Sequence, residues 1–397
     1  MLRSVLGSVV VSSLLCACGS TELPPEKPLY ADPPLASVPK VTTETPKRTY
    51  KDLDRATLNR MATRLDVPLY WAADKNGDGA PDPDEIATLL FFPTETKWVE
   101  DGAFTTAFDV YYDKLVAASK APAPKDPRAE LVQRELDGAA SVLVRTDLRS
   151  ADDETKAVVH HVLAAARAID DLYAQQNGIV ALSAKVASDD LASQSLFRRN
   201  WGPECKVPPL DVDPACSAIA GAPKPKVDVY PASVQVGDDW CKKLEGEKDA
   251  KALLAPFVVV REKDKKLVPV PYNVAYGEGM KRVAKELRAA ADAIKSPGEA
   301  AFKAYLEADA KSFETNDWLP ADEAWAKMNS RNSKYYLRVA PDETYWEPCS
   351  QKAGFQVSFA FINTDSIALQ DKLTPVQQDM EDALAKLIGH PYAARKV

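Results

Sequence analysis

A mostly helical α+β fold with a small sheet is what this sequence predicts, on three observations. Long stretches repeat their apolar residues at steps of three and four, the period of one helix face. Two short runs in the last quarter alternate apolar and polar residues, as half-buried strands do. The chain also has ordinary globular composition, 46% apolar and 27% charged over 397 residues, enough for one large or two medium domains. Its net charge of −8 argues against a nucleic-acid partner, because phosphate binding needs clustered Lys and Arg. No internal repeat is evident.

Residues 1–17 read as an export signal. Arg3 supplies the positive start, and the apolar run from Val5 to Ala17 is too short to span a bilayer. Leu15-Cys16-Ala17-Cys18 has the pattern of a bacterial lipobox, whose second cysteine is lipidated and becomes the mature amino terminus. An ordinary secretory signal is the alternative. Gly19 and Ser20 carry no aspartate that would retain the protein at the inner membrane, so a lipid anchor in the outer membrane of a bacterial cell envelope is the expected address. Residues 18–48 then hold Pro24, Pro25, Pro28, Pro33, Pro34, Pro39 and Pro46. Such a stretch cannot bury enough apolar surface to fold, and reads as an extended tether.

The expected folded part divides into a helical region at 49–120, which carries a calcium loop, and a longer helical region with the small sheet at 121–397. In the first, Leu53, Leu58, Met61 and Leu65 mark a helix over 52–66. Residues 74–85, D-K-N-G-D-G-A-P-D-P-D-E, then fit the twelve-residue calcium loop of an EF-hand. Asp74, Asn76 and Asp78 offer side-chain oxygens at positions 1, 3 and 5. Gly79 permits the turn at 6, Ala80 offers its carbonyl at 7, Asp82 sits at 9, and Glu85 can chelate with both oxygens at 12. Ca²⁺ is therefore the expected ion; a solvated Asp-Gly turn is the alternative. Pro81 lacks the N–H that would pair with a sister loop, and no second loop is apparent, so a lone structural site of modest affinity is expected.

Residues 100–120 form the next helix candidate. Residues 153–176 form a stronger one, with Val158, Val162, Ala165, Ile169 and Leu172 on one face and Gly178 where a C-cap glycine belongs. His160 and His161 lie on it, but adjacent helical residues diverge by about 100° and are poorly placed to share a metal. Residues 200–246 are proline-rich and irregular. Once Cys16 is cleaved away and Cys18 lipidated, Cys205, Cys216, Cys241 and Cys349 remain. An even count in an oxidising compartment favours two disulfides, Cys205–Cys216 as the close pair and Cys241–Cys349 by elimination. A thiolate zinc site is the alternative, without the usual C-x-x-C spacing. Val258-Val259-Val260 suggests a buried strand. Met280, Val283, Leu287, Ala290 and Ile294 mark a helix. Ser296-Pro297-Gly298-Glu299 reads as a capping box that opens another, with Phe302, Leu306, Ala310 and Phe313 on its face. The last helix candidate starts near Thr374-Pro375 and carries Val376, Met380, Leu384 and Leu387.

Between these helices lie the two alternating runs. Tyr335, Leu337 and Val339 share one face, and Phe355, Val357, Phe359 and Phe361 another. The bend between them carries Asp342, Glu343, Tyr345 and Glu347 and is closed by Pro348 and Gly354. The segment P-D-E-T-Y-W-E-P at 341–348, followed by Gly354-Phe355 leading an apolar strand, resembles the dipeptidyl-peptidase III family of zinc peptidases. The likeness extends upstream to Tyr276-Gly277-Glu278-Gly279 and downstream to Leu387, about the last third of the chain. It implies that Glu343 meets the amino terminus of a bound peptide and that Tyr345 supports the transition state. The family's H-E-x-x-x-H zinc motif and later glutamates are not found here; the three histidines are His160, His161 and His390.

Three readings follow. One is a calcium-binding, lipid-anchored lobe that binds peptides or a partner and is not catalytic alone. A second is part of a truncated or split zinc dipeptidyl peptidase whose metal half lies outside this chain, on a catalytic partner. The third is a calcium-stabilised envelope lipoprotein with no ligand cleft. No G-x-S-x-G elbow, phosphate loop or spaced Cys/His pair offers other chemistry. The lipobox reading is checked by fatty-acid labelling, which should mark the wild-type protein and miss Cys18→Ser; equal labelling of both would remove it.

Overall fold

The computed structural model describes residues 48–89, 96–138, 142–144 and 146–397. The signal, Cys18 and the tether up to residue 47 lie outside the described residues. Among the described residues the fold is mostly helical with four two-stranded antiparallel hairpins, where the sequence suggested one small sheet.

The first region holds helix α1 (Arg55–Arg64), the hairpin β1 (Leu69–Trp71) with β2 (Ile86–Thr88), the short pair β3 (Val99–Glu100) and β4 (Ala103–Phe104), and helix α2 (Thr106–Lys120). It has its own core around Leu58, Met61, Trp71, Trp98, Phe108 and Tyr112. The helix expected from residue 100 starts later because Asp101 and Gly102 take positive φ, 51° and 75°, and turn the chain back. Thr105 then caps α2 by accepting the Phe108 N–H.

Helix α3 (Pro127–Asp137) leads to α4 (Asp153–Gln176), the short α5 (Val180–Ser183) and α6 (Leu191–Asn200). Asp152 caps α4 through the Thr155 N–H, and Val158, Val162, Ala165, Ile169 and Leu172 are all buried. Gly178 has φ 67°, and a Cβ there would lie 1.9 Å from the Lys226 carbonyl oxygen; only glycine fits both constraints. The irregular stretch after α6 is stapled by Cys205–Cys216. Under it, the fully buried Glu135 accepts the N–H groups of Lys206 and Val207 and pairs with Arg199 at 2.8 Å. A buried pair of Arg198 with Asp66, 2.8 Å apart, joins α6 to the first region.

Helices α7 (Trp240–Glu245) and α8 (Ala250–Leu253) precede the hairpin β5 (Val258–Lys263) with β6 (Lys266–Pro271) and the turn-like α9 (Tyr272–Ala275). Then come α10 (Gly277–Ala293), α11 (Ala300–Thr315) and α12 (Leu319–Ala326), the hairpin β7 (Tyr335–Pro341) with β8 (Phe355–Phe361), and α13 (Thr364–Leu373) and α14 (Gln377–Ile388). The largest core is formed by α4, α10, α11 and the inner face of β7, with Met280, Leu287, Phe302, Phe313, Tyr335 and Leu337 at its centre. The capping box expected at 296–299 does not form: Ser296 makes no side-chain cap. Glu299 instead turns inward to accept the Ser333 hydroxyl at 2.6 Å and the Lys334 N–H at 3.0 Å.

In the middle of this core sits Asp309, fully buried on α11, with no hydrogen-bond partner for either carboxylate oxygen. Burial pushes its pKa well above the ordinary aspartate value. A native carboxyl that holds its proton while the unfolded chain has lost it makes stability fall as pH rises from the unfolded pKa to the native one. Asp309→Asn should therefore raise the melting temperature at pH 7, with the gain shrinking toward pH 4. Thermal unfolding across that range is the check; a destabilised variant at pH 7 would show that the carboxylate is ionised and satisfied.

Candidate functional site

The strands β7 and β8 are joined by the bend 342–354, and almost every polar group at its base is tied down. The Asp342 N–H donates to the Gly354 carbonyl at 3.0 Å and the Gly354 N–H to the Glu343 carbonyl at 2.8 Å. Gly354 lies under the Trp346 indole, where a Cβ would come within 2.8 Å of two ring atoms; a side chain there would push the ring off. The indole N–H closes the bend on the Lys352 carbonyl at 2.7 Å.

Glu347 is the inner anchor. It is 3% exposed, and its carboxylate accepts the backbone N–H groups of Cys349, Gln351 and Lys352 at 2.6–3.0 Å and the Tyr230 hydroxyl at 3.2 Å. Lys352 is fully buried nearby and donates to the carbonyls of Leu253 and Ala255. Burial pulls its pKa down to about 8. The Cys241–Cys349 disulfide fixes the bend to α7. Gln176, the last residue of α4, spans the strand end: its amide donates to the Ala353 carbonyl at 3.0 Å and accepts the Phe355 N–H at 2.8 Å. The Tyr272 hydroxyl adds a second donor to Ala353 at 2.9 Å.

On this held base Glu343 and Tyr345 are exposed, Tyr345 by 76%. Asp342 beside them is not free for a ligand. Arg338 bonds it at 2.9 Å, holds its carboxyl below the usual range, and also pairs with Asp322 at 2.7 Å. Of the four bend residues singled out in the sequence, two are thus structural and two face outward. Tyr276 is buried with its hydroxyl 3.2 Å from Asp228, which also pairs with Arg261. These three line an open cleft of about 540 Å³ that Glu343 and Tyr345 do not border. Lys352 and Gln176 carried no signal in the sequence, since a lysine after a turn and a glutamine at a helix end are ordinary surface residues.

The 74–85 loop joins β1 to β2, so it sits in a hairpin and not between two helices. Its backbone has the expected form: Gly77 and Gly79 take φ 72° and 74°. Asp74 accepts the N–H groups of Gly77 and Gly79, Asn76 that of Asp78, and Asp78 that of Ala80. Glu85, 1% exposed, accepts from the Trp71 indole at 3.0 Å, the Asp82 N–H at 3.2 Å and the Lys75 N–H, while Asn76 donates to Asp82 at 2.7 Å. The hard oxygen donors that calcium needs are present on this short loop. Asp82 and Glu85 would have to exchange hydrogen bonds for the ion. Among the described residues no group of three or more His, Cys, Asp or Glu side chains converges to hold a metal. His161 bonds Glu286 at 2.8 Å, the exposed His160 lies on the same helix with its ring edge-on to that of His161, 5.1 Å between centres, and His390 lies beyond α14.

No helix among the described residues is long and apolar enough to cross a membrane. No protein-family model matches the chain, and no curated protein matches it. Solved structures do. Dipeptidyl-peptidase III (DPP III) from Caldithrix abyssi superposes with a TM-score of 0.54 at 24% identity, over 63% of this chain and 47% of that one. The dipeptidyl-peptidase III of Corallococcus sp. strain EGB gives 0.53 at 24% identity, over 64% and 48%. The chain therefore has a DPP III-like fold and spans about half the length of these structures.

Proposed function

We propose that this is a calcium-binding, lipid-anchored protein of a bacterial cell envelope that uses a DPP III-like lobe to bind peptides, or a partner's exposed chain end, without catalysing hydrolysis alone. The observation that carries the reading is the bend itself. Glu343 and Tyr345 are presented to solvent on a support tied down by Glu347, Lys352, Gln176 and the Trp346 indole. A carboxylate and a phenol held this way suit a peptide ammonium and a neighbouring carbonyl. The ammonium pair would be solvent-exposed, and such pairs contribute at most about 1 kcal/mol. Glu343→Gln should therefore weaken binding of a free-amino peptide by roughly two- to fivefold and leave the acetylated peptide unchanged. Equal affinities of wild type and variant for the free-amino peptide would end this role for Glu343.

A second reading, part of a split or longer zinc peptidase, is favoured by the half-length match to DPP III structures. In it a separate segment would bring the zinc. Release of naphthylamine from dipeptidyl-naphthylamides by the purified chain, abolished by a chelator, would establish it over the first.

Asp74, Asn76, Asp78, Asp82 and Glu85, with the Ala80 carbonyl, would hold one Ca²⁺. Extracellular modules bind it with Kd on the order of 10⁻⁴–10⁻³ M. At ten to a hundred times Kd that stabilises the fold by about 1.4–2.7 kcal/mol. Calcium should raise the melting temperature of the wild type. Asp78→Asn, which keeps an acceptor for Ala80 but drops a charge, should reduce the shift. No shift at millimolar calcium would remove the ion from the account.

A further inference from the structure

The C-terminal helices are unlike every other long helix of the protein: α13 buries no side chain and α14 buries only Glu381. Helices of ten and twelve residues are marginal in water without a packed face. Yet Leu369, Leu373, Val376, Met380 and Leu387 are between 40% and 84% exposed, and Leu384 and Ile388 beside them are exposed as well. The sequence sets these residues at steps of four, three and four, with Ala383 completing the series before Leu387. In sequence that is the 3.5-residue period of a coiled-coil seam; it runs across the 3₁₀ turn Thr374–Val376, where the backbone leaves helical geometry at Val376 (φ −111°, ψ 6°). The residues immediately preceding the seam residues Leu373, Met380 and Leu387, together with Asp365 one heptad earlier, alternate in sign: Asp365, Lys372, Asp379, Lys386, all exposed.

We propose that this seam is covered by a second copy of the chain, packed antiparallel across a two-fold axis near Pro375. In that register Leu373 meets Val376 of the second copy and Leu369 meets its Met380. Every flanking charge then finds its opposite, Asp379 beside the other copy's Lys372 and Asp365 beside its Lys386. A parallel pairing would set Lys372 and Asp379 against Gln377 and Leu384 and leave these charges without opposite partners. A membrane surface fits less well. The two helices carry Asp365, Asp371, Asp379, Glu381 and Asp382 against Lys372 and Lys386, and anionic headgroups attract basic faces, not acidic ones. Two-fold homodimers are also the commonest closed assembly of soluble chains.

The test is sedimentation equilibrium on the purified full-length chain, in detergent where it is lipidated, with circular dichroism to confirm that each variant is folded. The wild type should dimerise at micromolar concentration. Asp379→Lys sets two like-charged pairs across the axis and should weaken the dimer by roughly three- to tenfold. Adding Lys372→Asp in the same chain should restore it. Met380→Glu with Leu387→Glu should leave monomers. A wild type that stays monomeric, a double charge swap that fails to restore what the single one lost, or association with phosphatidylglycerol vesicles that the Met380→Glu change abolishes would each overturn the proposal.

Discussion

The side-chain amide of Gln176 is the interaction on which the β7–β8 bend depends. It ends the central helix α4 and is fully buried. Its two polar atoms meet the Ala353 carbonyl and the Phe355 N–H, the point where the bend becomes β8. Its own carbonyl accepts the Asp228 N–H, so the same residue also fixes the chain that passes under Tyr230. A two-stranded hairpin is at best marginally stable by itself. Here it is registered against the core helix by a pair of hydrogen bonds; without Gln176 the Tyr272 hydroxyl still reaches the Ala353 carbonyl, but the buried Phe355 N–H would lose its partner, at about 1–3 kcal/mol.

Around that tie the bend is stabilised by interactions of different physical kinds. Glu347 gathers three backbone N–H groups and the Tyr230 hydroxyl, which satisfies a buried charge that would otherwise be costly. Lys352 places its ammonium on two carbonyls and over the face of the Tyr230 ring, 5.6 Å from its centre. The Cys241–Cys349 bridge closes a separation of 108 residues, which in the chain-entropy view is worth about 4–5 kcal/mol. These are structural devices that hold the base of the bend from which Glu343 and Tyr345 project to solvent. The DPP III-like fold supplies the scaffold; the peptide-binding role assigned to those two residues remains the proposal of this account.

What could be read in the sequence follows from how local the signal was. Residues 153–176 came out residue for residue, because a buried face and a C-cap glycine agree. The alternating runs at 335–339 and 355–361 paired as expected, and both disulfides formed between the expected cysteines. The strand β6 was hidden by Pro269 and Pro271, which argue against a strand unless it lies on an edge, and by a turn at Asp264-Lys265 with positive φ but no glycine. Helices α3, α6, α12 and α13, and the short α5, α7, α8 and α9, were passed over. The stripe Val376, Met380, Leu384, Leu387 looked like a core face and is exposed, since periodicity identifies a helix but not what covers it. In the bend, four polar residues looked alike. Only the fold separates Glu347, which is swallowed by backbone donors, from Glu343, which is left outside.

With these ties the bend bearing Glu343 and Tyr345 is pre-formed in the free protein. Native-state amide hydrogen exchange tests it most directly, because opening free energies separate held segments from loose ones. The amides of Lys352, Gly354 and Phe355 should be protected to the level of the core amides of α4, in the absence of any peptide. Exchange of those three at the rate of an exposed loop would contradict the claim, and with it the view that the surface is built in advance of its ligand.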